Sequence, residues 1–119
     1  MQFEVKVRGH SIIVDQPTDS GGKDEGPTPP ELFVASLGTC IGVYALWFCQ
    51  KHKIPYEGMK ISMTWSKSPA PPARIDNIEA HITLPQGCPE MHKAGLVVQA
   101  KQCLMHNTIT HAPEIRIIV

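Results

Sequence analysis

Phe3, Val5 and Val7 are separated by Glu4, Lys6 and Arg8, the period-two pattern of a half-buried strand. Gly9-His10 reads as a turn and residues 11–15 as a returning strand, so the chain is expected to open with a β-hairpin. Residues 16–26 are built from Pro, Thr, Asp, Ser, Gly and Lys, and a polar loop without an element of its own is expected there.

The pattern changes abruptly in GPTPPELFVASLGTC, Gly26 to Cys40. Thr28, followed by two prolines and Glu31, is a helix start. The threonine accepts from an orphan amide, proline suits the first turn because it lacks an N–H, and Glu31 stands at the capping-box position. Apolar residues then run from Leu32 to Phe48 around nearly the whole circumference. This predicts a long central helix, ending near His52 and wrapped on several sides rather than lying on a surface. Lys51, His52 and Lys53 suit its negative end.

Beyond Pro55 and Gly58, Met59, Ile61, Met63 and Trp65 alternate with polar residues, predicting a third strand. SKSPAPPA, residues 66–73, is a proline-rich loop unable to join a ladder. Ile78, Ala80, Ile82 and Leu84 predict a fourth strand. Pro89 opens a second helix from Glu90 to about Gln102, which Gly95 weakens by ~1 kcal/mol relative to alanine. A short irregular or helical turn follows Cys103, and Ile115, Ile117 and Val119 predict a last strand. Two strands, a long helix, two strands, a helix and a strand make an α+β layout, and its length suits a single domain over residues 1–119.

Charge narrows the function classes. Eleven basic residues balance eleven acidic ones, and no basic tract is interleaved with aromatics, which argues against nucleic acid. Charged residues make up 18% of the chain against 42% apolar, so some apolar surface is expected to be hidden in a partner subunit. The N-terminus has no continuous apolar segment of the kind a secretory signal needs. The run from Leu32 to Trp47, broken by Ser36, Gly38, Thr39 and Gly42, is read as short of a membrane span. A cytoplasmic location is the expectation, and there the four cysteines are free thiols, ligands or redox groups rather than a structural framework.

Cys40 lies too far into its helix for the N-terminal dipole to activate it. Chemistry at that sulfur needs a neighbouring cation or donor, for which Arg8, Arg74 or a histidine are candidates, while a buried cysteine also serves as a small hydrophobe. Cys49, nine residues on, falls on the opposite face of the helix and reads as core or interface packing. Cys88 sits in a turn with no evident partner, and Cys103 can approach Cys40 only through the tertiary fold. Cys103 and His106 form a single C-x-x-H pair, whereas structural zinc wants two closely spaced pairs, so neither a metal nor a cofactor is expected. Asp24 and Glu25, and Asp76 and Glu79, read as solvated acids.

Three segments resemble the OsmC/Ohr superfamily, the osmotically inducible protein C and organic hydroperoxide resistance proteins. GPTPPELFVASLGTC resembles the family run that ends in a helix cysteine. PPARIDNIEAHITL is similar to its P-x-R strand entry, and AKQCLMHNTI to the segment with its second cysteine. The resemblance implies an OsmC-like α+β fold, with antiparallel-rich sheets wrapped around paired long helices in an interlocked homodimer, and sites at the interface. It carries the peroxidatic cysteine onto Cys40 and the resolving cysteine onto Cys103. It further implies an organic hydroperoxide as substrate, a dithiol as reductant and a place in the response to stress. Counting back from Cys40, the family's catalytic glutamate falls on Pro30. The acid here is Glu31, one residue later and about 13 Å along the helix from Cys40; Arg8 is the counterpart considered for the family arginine, and Arg74 belongs to another motif. In this the chain resembles the branch of OsmC-like members without a settled reaction.

The resulting reading is a thiol-dependent organic hydroperoxide reductase without a cofactor. Its alternatives are a non-enzymatic small-molecule or lipid-binding protein using the same cleft, and a thiol redox sensor.

Overall fold

The computed structural model describes all 119 residues, which divide into two compact units, Met1–Ala35 and Ser36–Val119. The N-terminal unit holds the expected hairpin, β1 (Phe3–Val7) and β2 (His10–Val14), paired antiparallel with Phe3 opposite Val14 and Val7 opposite His10. Its turn at Arg8 and Gly9 takes positive φ at both positions, as tight hairpins of this hand require. The burial differs from expectation. All five residues of β1 are exposed, Phe3 at 72%, because the chain itself supplies nothing to cover that face.

The polar loop is ordered by one side chain. Asp15 is buried at 1% exposure and accepts from the amides of Gln16 (2.8 Å), Glu25 (3.1 Å) and Lys23 (3.2 Å), and from the side chain of Gln2 (3.4 Å). A buried carboxylate is tolerated when donors replace its water in this way. Its own amide donates to the Pro27 carbonyl at 3.1 Å, so both ends of the loop close on Asp15. A single 3-10 turn, Thr18–Ser20, lies between them.

The helix start is the capping box expected at Thr28. The Thr28 amide donates to Glu31 Oε2 (2.8 Å), and the Glu31 amide to Thr28 Oγ1 (3.4 Å). Helix α1 runs Pro29–Lys51 and ends as Lys53 turns to a positive φ of 55°. Contrary to the sequence reading, its length and mean hydropathy are sufficient to cross a bilayer, although 39% of the apolar window is buried within the chain. Val34, Leu37, Ile41, Ala45 and Phe48 recur every three or four residues and are buried, while Phe33, Val43 and Trp47 are 40–50% exposed. One chain therefore buries one stripe of a helix expected to be wrapped all round.

In the larger unit β3 (Lys60–Lys67) and β4 (Ile75–Thr83) pair antiparallel, with Lys60 opposite Thr83 and Ser66 opposite Asp76. A bulge between Thr64 and Ser66 coincides with the positive φ of Asn77, and it returns the apolar alternation of β4 to the inner face. Gly38 of α1 lets β3 approach closely, since a Cβ there would stand 2.8 Å from Met63 Cγ. Helix α2 (Glu90–Ala100) is followed by α3 (Leu104–Thr110). Gly95, a weak helix residue, has a packing reason: a Cβ there would lie 3.0 Å from the Phe48 ring.

Two clusters form the core of this unit. One joins Ala45, Phe48, Cys49, Ile54, Leu84 and Leu96; the other joins Leu37, Ile41, Ala100 and Cys103. The last expected strand is absent. Ile115, Ile117 and Val119 are almost wholly exposed and pair with no strand of the chain, although each strand of the two-stranded sheets keeps a free edge.

Candidate functional site

The second core cluster gathers the chemistry. Cys40, half-buried on α1, packs against the group that contains Cys103, with Tyr44, Met63, Ile78, Ile82 and Met105 around them. Cys103 is fully buried and occupies the N-cap of α3, with extended backbone angles of −64° and 146°. Its sulfur accepts from the His106 amide at 3.2 Å, the bond an N-cap side chain makes to the third helical residue. The two thiols meet in this cluster, and both are reduced.

Burial pushes the Cys103 thiol up from its ordinary value. The His106 amide opposes that rise, and the neighbouring Cys40 adds to it. The sign follows from chemistry: an uncharged thiol loses nothing on leaving water, whereas a thiolate loses its solvation. Burial therefore favours the protonated form of Cys103.

Beside the thiols lies a cleft of about 330 Å³. Leu37, Ile41 and Ala100 belong both to its wall and to the cluster holding the cysteines, so the cleft and the dithiol share side chains. Neither cysteine itself lines it. Met63, Ile78, Ile82, Val97 and Ile109 complete an apolar surface, and Lys101, His106 and Thr110 are its polar members. Such a cavity is of the size and character of small-molecule sites.

Cys40 and Cys103 come together. Of the three assisting candidates, Glu31 and Arg74 are engaged with backbone groups and Arg8 is exposed. Glu31, in the N-terminal unit, has its carboxylate bonded to the Thr28 amide. Arg8, also in that unit, occupies the exposed hairpin turn. Arg74 donates to the carbonyls of Pro72 (3.1 Å) and Ala70 (3.5 Å), pinning the proline loop.

His106 has a part the sequence reading did not assign. Its spacing from Cys103 is the distance from an N-cap to the third helical position, and the contact runs through the amide rather than the imidazole. The ring is not idle surface: Nδ1 is sealed from solvent with no hydrogen-bond partner. The apolar–polar break at Cys103 was the available signal, since a helix had to begin again there.

Comparison with known proteins gives the same frame. The OsmC-like protein family matches residues 22–118. Among curated proteins, none matches the sequence. A candidate osmotic stress induced and detoxification response protein from Psychrobacter arcticus shares the fold at a TM-score of 0.76 and 20% identity, over 90% of this chain and 85% of that one. An OsmC-like protein from Mycoplasma pneumoniae gives 0.71 and 21%, over 93% and 80%. An organic hydroperoxide resistance protein, OsmC, from Legionella pneumophila gives 0.60 and 20%, over 92% and 87%. At these identities the likeness is one of fold, and with the family match over most of its length the chain belongs to the OsmC-like family.

Proposed function

We propose that the chain reduces organic hydroperoxides through Cys40 and Cys103. The observation that carries this reading is that the two thiols, one from the middle of α1 and one from the cap of α3, meet in one core cluster. Cys40 is the half-buried sulfur and Cys103 the sealed one, which makes Cys40 the attacking sulfur. The Cys40 thiolate attacks the distal peroxide oxygen, the O–O bond breaks, and the alkoxide takes a proton and leaves as an alcohol. Cys40 is then a sulfenic acid. The Cys103 sulfur gives up its proton and displaces the sulfenic hydroxyl as water, forming the S–S bond. A dithiol donor returns both cysteines to thiols and is itself oxidised to a disulfide. The apolar wall of the adjoining cleft favours alkyl or aryl peroxides over hydrogen peroxide.

The working unit in this proposal is a homodimer. Phe3, Val5 and Val7 on β1, Val43 and Trp47 on α1, and Ile115 and Ile117 near the C-terminus are all exposed apolar side chains. Apolar surface on that scale marks an interaction site, and a second copy is the occupant proposed for it.

Turnover decides the matter. Substoichiometric protein with excess dithiothreitol is expected to consume cumene hydroperoxide, and Cys40→Ser to stop it. Equal consumption by that variant would end the proposal. One observation favours a second reading, ligand binding without turnover: neither sulfur lines the cleft, and Glu31 is occupied as a cap. On that reading an apolar ligand binds wild type and Cys40→Ser alike, and peroxide is left untouched by both.

A further inference from the structure

The four cysteines divide evenly between the two cores. Cys40 and Cys103 belong to one, while Cys49 and Cys88 belong to the other. The division repeats in accessibility: each core has one half-buried thiol, Cys40 or Cys88, and one at 0% exposure, Cys103 or Cys49. A reachable sulfur beside a sealed one is the arrangement in which a first oxidation is captured as a disulfide rather than running on to higher oxides. We infer that Cys49 and Cys88 form a second oxidisable dithiol, distinct from the Cys40–Cys103 pair and independent of the reaction proposed for it.

Cys49 lies in the C-terminal half of α1, among Ala45, Phe48, Ile54, Leu84 and Leu96, and Cys88 packs against that group from the turn joining β4 to α2. Burial, and after it Cys88, push the Cys49 thiol up. The turn is open to solvent. Gly87 holds a left-handed φ of 74°, and a Cβ built there would meet nothing within 4 Å. Pro85, Gln86 and Gly87 are exposed. The Cys88 sulfur is tied only to the neighbouring Pro89 carbonyl, at 3.6 Å.

The reaction needs a peroxide as oxidant. Cys88 sulfur attacks one peroxide oxygen, the O–O bond breaks, and water or an alcohol leaves. Cys49 sulfur then displaces the hydroxyl of the Cys88 sulfenic acid as water. The dithiol loses two electrons and two protons, and the peroxide gains both. The product clamps the end of α1 to the β4–α2 turn, and a thiol reductant releases it.

The test uses full-length Cys40→Ser/Cys103→Ser protein, in which Cys49 and Cys88 are the remaining thiols. After hydrogen peroxide treatment and denaturation, the free-thiol count is expected to fall from two per chain to none and to return with dithiothreitol. Trypsin should release peptide 24–51 joined to peptide 75–93, and Cys88→Ser should abolish the link. Recovery of Cys49 as a free thiol beside Cys88 sulfinic acid, or of a Cys88–Cys88 link between chains, overturns the inference. Should the double replacement not fold, wild type is mapped instead with chymotrypsin, which cuts after Tyr44 and Trp47 and so separates Cys40 from Cys49. The same products decide the outcome there.

Discussion

Cys40 and Cys103 meet in one core cluster although one lies in the middle of α1 and the other caps α3. Two features hold them there. Ala100 and Leu37 close the core around the pair, and the His106 amide fixes the Cys103 sulfur at the start of its helix. Replacing Cys103 by serine should preserve the cap, because serine is a better N-cap acceptor. It should also remove the resolving step. Cys103→Ser is therefore expected to react once with cumene hydroperoxide and then to accumulate Cys40 sulfinic acid with excess peroxide. Continued turnover with a monothiol-insensitive rate would assign resolution to another group.

Glu31 is the acid nearest in sequence to the position where the peroxidase members carry their catalytic glutamate, and its carboxylate is bonded to the Thr28 amide. Glutamine also completes a capping box, so Glu31→Gln should leave both stability and peroxide consumption within about twofold of wild type, whereas Thr28→Ala should cost about 1 kcal/mol. Urea unfolding and the peroxide assay separate the two. Loss of turnover in Glu31→Gln at unchanged stability would make this carboxylate part of the reaction.

Gly38 sets the depth of the cleft by letting Met63 lie against α1. Valine there collides with the Met63 side chain and should destabilise the larger unit by about 1–3 kcal/mol, the usual cost of overpacking. The measurement is the urea midpoint. Gly38→Val with an unchanged midpoint would show that β3 yields freely.

Asp15 gives the N-terminal unit a dependence on acid. The Gln16 amide holds its carboxyl below the ordinary 3.8; burial opposes that, and the Glu25 and Lys23 amides and Gln2 add to it. A depressed carboxyl stabilises the fold above its unfolded value, and that contribution disappears as pH falls through the lower folded value. Hydrogen exchange at the Lys23 and Glu25 amides should accelerate, after correction for intrinsic rates, as pH drops below 3.8. Asp15→Asn should show fast exchange at all pH values. Protection in that variant equal to wild type at neutral pH would contradict this role.

How much of this was legible in the sequence depended on how local the cause was. The capping box at Thr28 and Glu31, the hairpin, and the alternation in β3 and β4 are decided within a few residues and are present. Strand β3 nevertheless runs on through Ser66 and Lys67, which the pattern assigns to the loop and which pair with Asp76 and Ile75. The juxtaposition of Cys40 with Cys103 came from the family resemblance, because no spacing reports a contact between elements so far apart. The role of Asp15 was missed for a similar reason: a carboxylate ending a strand looks solvated until the loop is seen folded onto it. Strand and helix periodicity also predicts which faces are apolar, not what covers them. This is why β1, one side of α1 and the segment around Ile117 are exposed here.

Those exposed faces make the homodimer testable. Removing residues 114–119, or replacing Val43 and Trp47 by serine, should shift sedimentation from dimer toward monomer at micromolar concentrations, since apolar burial drives such association. Wild type sedimenting as a monomer would leave the exposed apolar faces without the occupant proposed.

The most direct measurement is a single oxidation. Fully reduced protein is mixed with one equivalent of cumene hydroperoxide, and products are quantified alongside peptide mass mapping. The account predicts one equivalent of the alcohol and a disulfide joining Cys40 to Cys103, with no product in Cys40→Ser. Intact peroxide beside two free thiols would contradict it.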